Sequence, residues 1–196
     1  MPTTAKAQDT ANSEEPVFTV VKQLPITSIK NQASSGTCWS FSTISFLESE
    51  AIRKGYKGDD LDLSEMFVVS KCYSDKAEKY IRLDGHLNYA QGGSSEDVLH
   101  VLKDYGLVPE SLMPGLNYGE TRHSHSAMHE GLKGYITGIY KGSKNKLTTA
   151  WMAGHQGILD AYLGKCPDEF EYNGQTYTPQ SYAASLGLVA DDYVSI

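Results

Sequence analysis

Residues Gln32-Ala33-Ser34-Ser35-Gly36-Thr37-Cys38-Trp39-Ser40-Phe41 carry the strongest local signal in the chain, because they place a cysteine six positions after a glutamine. Apolar residues then recur at helical spacing, and Gly55 supplies a stop, so the pattern predicts a helix that begins at Cys38. The unpaired N–H groups and the positive dipole end of such a helix face the sulfur and favour its thiolate. Cys38 is therefore a candidate nucleophile.

Composition narrows the class of protein. The chain has 196 residues, of which 40% are hydrophobic and 10% aromatic, and this content supports a globular core. A formal charge of −7 argues against a nucleic-acid partner. No window approaches the roughly 18 consecutive apolar residues of a membrane span, so no membrane partner is expected. Three cysteines, Cys38, Cys72 and Cys166, are too few for a disulfide framework.

Turn and capping signals predict further elements. Ser64 is a candidate N-cap of a second helix, and Asn173-Gly174 indicates a type I′ hairpin. Residues 76–88 are ambiguous. The remaining predicted helices are Glu96–Tyr105, Ser126–Tyr140, Leu147–Leu163 and one that starts at Thr178-Pro179.

Several motifs together resemble papain-type cysteine peptidases, and more narrowly the bleomycin hydrolase and aminopeptidase C branch. Besides the Cys38 stretch they are Leu63-Ser64-Glu65, Gly92-Gly93 and Gly106-Leu107-Val108-Pro109. The resemblance implies an α+β papain-like fold, of which this chain supplies mainly the helical left-hand domain and lacks the β-barrel-like right-hand half.

The same resemblance divides the chain into three parts. Residues 17–119 match the papain-like N-terminal domain, and residues 120–196 resemble the insertion of this branch, with helices and a hairpin. Residues 1–16 are interpreted as a disordered tail or a trimmed signal remnant, because Ala5-Lys6-Ala7 has the small-x-small form of a cleavage site. The compartment, cytoplasmic or exported, is left open.

The resemblance also implies the site residues. Cys38 is the nucleophile, Gln32 and the backbone N–H of Cys38 form the oxyanion hole, and Gly92 with Gly93 holds the substrate backbone. The chemistry agrees, since acyl transfer through a thiolate needs donors aimed at the developing oxyanion, and paired glycines admit an extended peptide. No metal and no cofactor is expected.

Two departures from the papain pattern stand out. That pattern has a disulfide where this chain carries Ser35 and Ala90, so the bond cannot form, which is compatible with a reducing compartment. It also requires a downstream histidine and an asparagine in N-S-W-G, whereas His155 is the last histidine here and lies in no such motif. We therefore expect that the catalytic His and Asn lie outside this chain, which is inactive alone.

The expected function is that of a cysteine aminopeptidase that removes N-terminal residues from peptides. Its expected partners are peptide substrates and a C-terminal half with the catalytic His and Asn, and family members suggest a homo-hexamer. Two alternatives stay open: a non-catalytic fragment or pseudoprotease with a binding role, and another cysteine acyl hydrolase.

Three other features have simpler interpretations. His123, His125 and His129 have a metal-like spacing but lack an acidic or cysteine-rich surrounding, so a solvated helix start capped by Ser124 or Ser126 is expected. Trp39 is expected to serve packing. The acids Asp59, Asp60 and Asp62 are expected to form a solvated linker.

Overall fold

A computed structural model describes residues 18–58, 61–143 and 146–194. Within these ranges the chain forms six α-helices, one two-stranded antiparallel sheet and two short 3-10 turns. The helices are α1 (Cys38–Arg53), α2 (Glu65–Arg82), α3 (Ser95–Asp104), α4 (Ser126–Gly142), α5 (Ala150–Leu163) and α6 (Pro179–Ser185). The strands are β1 (Phe170–Tyr172) and β2 (Gln175–Tyr177), and the 3-10 turns are Glu110–Leu112 and Ala190–Asp192. The predicted tail, residues 1–16, lies outside the described residues, as do Asp59 and Asp60.

The local signals give the expected elements. Helix α1 begins at Cys38, and the Ser64 hydroxyl accepts a hydrogen bond from the Phe67 N–H at 3.0 Å, which caps α2. Asn173 and Gly174 have φ values of +50° and +75°, as a type I′ turn requires. The ambiguous residues 76–88 are helical as far as Arg82, because α2 continues to that residue.

One hydrophobic core joins these helices. Helices α1, α2 and α3 pack against one another, α5 packs on both α2 and α4, and α6 contacts α3. Among the largest fully buried side chains are Ile44, Leu47, Phe67, Leu107, Met128 and Leu159. The fold is therefore α+β and mainly helical, as predicted, and its described sheet is the β1–β2 hairpin. The boundaries at residues 17, 119 and 120 stay predictions.

The segment 120–194 is fastened to both ends of α1. Near the start of that helix, the Ser34 N–H donates to the His123 carbonyl at 3.0 Å, and the His125 N–H donates to the Ser34 carbonyl at 3.2 Å. At the other end, Lys54 Nζ donates to the Gly187 carbonyl at 2.8 Å and pairs with Asp192 at 2.7 Å. The segment is therefore attached near both ends of α1, and its contact with Ser34 holds the loop before Cys38 in place.

A group of four acids, which we call the carboxyl cluster, lies around the N-terminal end of α2. Its members are Glu48, Asp62, Glu65 and Glu110. Glu48 and Glu65 are only 2% and 4% exposed, and Glu48 Oε1 accepts the buried Leu63 N–H at 2.8 Å. Burial raises the pKa of Glu65 to about 7 and that of Glu110 to about 8. Asp62 lies in the coil between α1 and α2, as expected for a linker; its side chain is 37% exposed and pairs with Lys30 at 2.8 Å beside these groups.

A second buried polar group, the imidazole–phenol cluster, lies where α2 meets α4 and α5. Its members are Tyr73, Tyr89, His129 and His155. The Tyr89 hydroxyl lies 2.7 Å from His155 Nε2, and the Tyr73 hydroxyl lies 3.3 Å from His129 Nδ1. Burial lowers the pKa of His155 to about 4 and raises the pKa of Tyr89. The cluster therefore keeps its imidazoles neutral at pH 7.

The expectation of a solvated helix start at His123–His129 was wrong, because two of its histidines are buried. His125 is 0% exposed, and His129 is buried. Because the backbone of residues 123–125 pairs with Ser34, the His125 ring is enclosed in the molecule. Helix α4 begins at Ser126 without a side-chain capping hydrogen bond. Burial, assisted by the neighbouring His123, lowers the pKa of His125 to about 4.

Within the described residues, no helix combines the length and the apolar character needed to cross a membrane.

Candidate active site

Cys38 is the first residue of α1 and is exposed to solvent. The preceding Thr37 provides no side-chain cap, because its hydroxyl lies 2.5 Å from the Ser35 hydroxyl instead. The Thr37 carbonyl accepts from the N–H groups of Ser40 and Phe41, at 2.9 and 3.2 Å. Cys38 is therefore an accessible thiol at the start of a helix, as the sequence predicted.

Gln32 lies in a tight loop before this helix. Its Nε2 donates to the Ser35 carbonyl at 2.8 Å, and the Ser35 hydroxyl donates back to the Gln32 carbonyl at 2.8 Å. Between them Ala33 has a φ of +47°, a conformation that costs a non-glycine residue about 1 kcal/mol. The side-chain amide carries a second N–H, which is the group that the oxyanion role requires.

The two glycines of the predicted cleft have different surroundings. A Cβ atom added to Gly93 would lie 2.7 Å from the Trp39 ring and 3.0 Å from Asp97 Oδ2, so this position has no room for a side chain. A Cβ atom added to Gly92 would meet nothing within 4 Å. Gly93 thus packs against the residue after Cys38, while Gly92 faces open space that an extended peptide can enter.

Trp39 serves packing, as predicted, and it joins Gly92 and Gly93 to α1. It is 7% exposed, and its Nε1 donates to the Gln91 carbonyl at 3.0 Å. Lys76 of α2 lies above the ring, with Nζ 5.4 Å from the centroid, and also donates to the Gly92 carbonyl. The structure therefore brings residues 91–93 beside the start of α1, where Cys38 lies.

Gln91 is the residue of this region that the sequence reasoning missed. Its Oε1 accepts from the Gly36 N–H at 2.9 Å, across 55 positions of the chain. Its only sequence signal is its position directly before Gly92, which does not reveal a side-chain contact.

His123, His129 and His155 are engaged in side-chain hydrogen bonds or in ring packing. His129 and His155 belong to the imidazole–phenol cluster. His123 packs its ring against Phe41, with centroids 5.9 Å apart, and against His125. Over residues 18–58, 61–143 and 146–194, no group of three or more His, Cys, Asp or Glu side chains is arranged to hold a metal ion.

The fold and this site define a class. A helix that starts at an exposed cysteine, a preceding glutamine loop and a glycine pair beside that helix resemble the nucleophile side of a papain-type cysteine peptidase. In agreement, residues 18–157 match the family described as "Papain family cysteine protease", which is more than half of the chain. The chain belongs to the papain family of cysteine proteases.

Individual relatives share only modest sequence identity with the chain. The chain is 28% identical over 161 residues to cysteine proteinase 2 of Entamoeba histolytica, which covers 80% of this chain and 46% of that protein. It is 24% identical over 171 residues to bleomycin hydrolase of Rattus norvegicus, covering 74% of this chain and 37% of the relative. The chain spans less than half the length of both relatives.

A solved structure shares the fold. The crystal structure of PepW from Lactobacillus rhamnosis superposes with a TM-score of 0.59 at 21% sequence identity, and the match covers 91% of this chain and 47% of PepW. The likeness includes the region after residue 119, because it extends over nearly the whole chain.

Proposed function

We propose that this chain is the nucleophile-bearing part of a cysteine aminopeptidase of the bleomycin hydrolase type. The observation that carries the proposal is the exposed Cys38 at the start of α1, flanked by the Gln32 loop and by residues 91–93. Relatives named bleomycin hydrolase support the choice of branch.

In the proposed reaction, the Cys38 thiolate attacks the carbonyl carbon of the first peptide bond. The Gln32 side-chain N–H and the Cys38 backbone N–H stabilise the oxyanion, and each such donor lowers the barrier by roughly 3 kcal/mol. The amine leaves with a proton from an imidazole, and water then hydrolyses the acyl-enzyme. Residues 92 and 93 hold the substrate backbone.

The imidazole comes from a C-terminal half that also supplies the asparagine. The surroundings of three histidines support this part of the proposal, since His129 and His155 are bonded to tyrosines and His125 is enclosed. Without that half Cys38 has no proton shuttle, and the chain alone does not turn over. Peptides are the substrates, and a homo-hexamer is the proposed assembly.

The test compares the chain alone with the chain joined to the coding sequence downstream of Ile196, using peptides with free and with acetylated N-termini. Only the joined protein should cleave, and only the free peptides. Cys38→Ala should abolish cleavage, whereas Cys166→Ala, which removes a half-buried thiol elsewhere, is the matched control and should retain it.

Three results argue against the proposal. Turnover by the Cys38→Ala variant contradicts the nucleophile, and cleavage of acetylated peptides contradicts the aminopeptidase specificity. Absence of cleavage by the joined wild-type protein favours a binding role instead.

A further inference from the structure

Gln91 joins two parts of the site that are far apart in sequence. Its side-chain Oε1 accepts the Gly36 N–H at 2.9 Å, and its backbone carbonyl accepts the Trp39 indole N–H at 3.0 Å. One residue thus contacts the loop before Cys38 and the residue after it.

The approach at Gly36 is close enough to exclude a side chain. A Cβ atom built on Gly36 would lie 2.9 Å from Gln91 Cβ and 3.2 Å from Gln91 Oε1. Real Cβ atoms avoid the first distance, so the glycine is needed for the side chain of Gln91 to reach the loop backbone. The contact depends on both residues.

Residues next to Gln91 are held from a second side. Lys76 of α2 donates to the Ala90 carbonyl at 3.4 Å and to the Gly92 carbonyl, and it lies over Trp39. Because Lys76 of this helix binds the backbone on both sides of Gln91, the position of the Gln91 backbone is fixed. Ser35 and Ala90, which occupy the places of the papain disulfide, are the immediate neighbours of this contact.

We propose that Gln91 is a positioning residue that holds the Gln32–Cys38 loop in register with Gly92 and Gly93. The proposal rests on the proposed function, since it concerns the same site. The Gly36 N–H contact fixes the loop that carries both oxyanion donors, so its loss displaces them relative to a bound carbonyl. A misplacement of this kind lowers the rate of the chemical step more than it lowers binding.

The test uses Gln91→Met, which keeps the length of the side chain but removes the acceptor, and Gln91→Glu, which keeps an acceptor. Gln156→Met is the matched control, because the Gln156 side chain is also hydrogen-bonded, to Ser74 and Asp160, but lies on α5. In the joined protein, each variant at its own optimal pH, Gln91→Met should lower kcat about tenfold with KM changed less than threefold. Gln91→Glu and Gln156→Met should stay within threefold of wild type in kcat.

A second measurement needs no turnover. Hydrogen exchange at the Gly36 amide of the chain alone should accelerate at least about tenfold in Gln91→Met, and not in the other two variants. Unchanged Gly36 exchange, or equal loss of kcat in Gln91→Met and Gln91→Glu, overturns the proposal. If the joined wild-type protein does not cleave peptides, the proposed function fails, and the exchange measurement still decides whether Gln91 holds the loop.

Discussion

The two buried polar clusters on α2 respond in opposite ways to protons. The carboxyl cluster surrounds the N-terminal end of α2, whereas the imidazole–phenol cluster faces α4 and α5. In both, burial opposes the charged form: it raises the pKa of Glu65 and Glu110 and lowers the pKa of His155. Burial therefore favours the uncharged form in both clusters, but a rise in pH ionises the carboxyl groups whereas a fall in pH ionises the imidazoles.

The direction in which pH changes the stability of each cluster follows from the linkage between proton binding and folding. A carboxyl whose folded pKa lies above its unfolded value destabilises the fold as pH rises from the unfolded pKa towards the folded one. For Glu65 that window extends from 4.5 to about 7. An imidazole with a lowered folded pKa destabilises the fold as pH falls, and for His155 the window extends from 6.5 down to about 4. Between pH 5 and 7 the two clusters therefore oppose each other.

The largest expected effect is the loss of stability when Glu48 of the carboxyl cluster is replaced. Replacement by leucine leaves the buried Leu63 N–H without its acceptor, and also removes the acceptor of the Thr27 hydroxyl. We expect Glu48→Leu to lower the free energy of unfolding by about 3 kcal/mol, measured by urea denaturation followed by tryptophan fluorescence. Glu48→Gln, which retains an acceptor, should lose about 1 kcal/mol or less. Equal losses in the two variants contradict the assignment.

The next effect is a weaker pH dependence of stability when His155 of the imidazole–phenol cluster is replaced. His155→Gln keeps a partner for the Tyr89 hydroxyl but cannot bind a proton. For a pKa that falls from 6.5 to about 4 on folding, wild type loses about 2 kcal/mol between pH 7 and pH 5. The variant should lack that part of the loss, as seen by denaturation at the two pH values. An unchanged pH dependence shows that His155 does not carry it.

A smaller effect of opposite sign is expected at Glu110. Burial, and the nearby Glu65 and Asp62, raise its pKa to about 8, so the folded state disfavours the carboxylate as soon as the pH exceeds the ordinary pKa of 4.5. At pH 5 Glu110→Gln should therefore raise the free energy of unfolding by about 1 kcal/mol, and the gain should vanish near pH 3.5. Thermal unfolding at both pH values measures this, and destabilisation at pH 5 refutes it.

The smallest expected effect is the interaction energy between the two clusters, which we expect to contribute independently to stability. Among the described residues, the bonding partners of Glu48 and Asp62 do not overlap with those of His129 and His155. The double variant Glu110→Gln/His155→Gln should thus show the sum of the single effects to within about 0.5 kcal/mol. A larger interaction energy reveals coupling along α2.

What the sequence predicted depended on how local the signal was. The start of α1 and the Asn173-Gly174 hairpin follow from neighbouring residues, and both were predicted. The burial of His125 was not, because it depends on backbone pairing with Ser34, 91 positions earlier. The carboxyl cluster and the Gln91 contact have the same origin, since they join residues that only the folded chain brings together.

The attachment of segment 120–194 near both ends of α1 limits how the chain can be shortened. A 16-residue helix is about 24 Å long, so the points near Ser34 and near Lys54 are separated by roughly that distance. A deletion that joined the chain directly across this gap would need at least about seven extended residues as a bridge. A shortened variant that lacks the segment therefore requires a designed linker of that length.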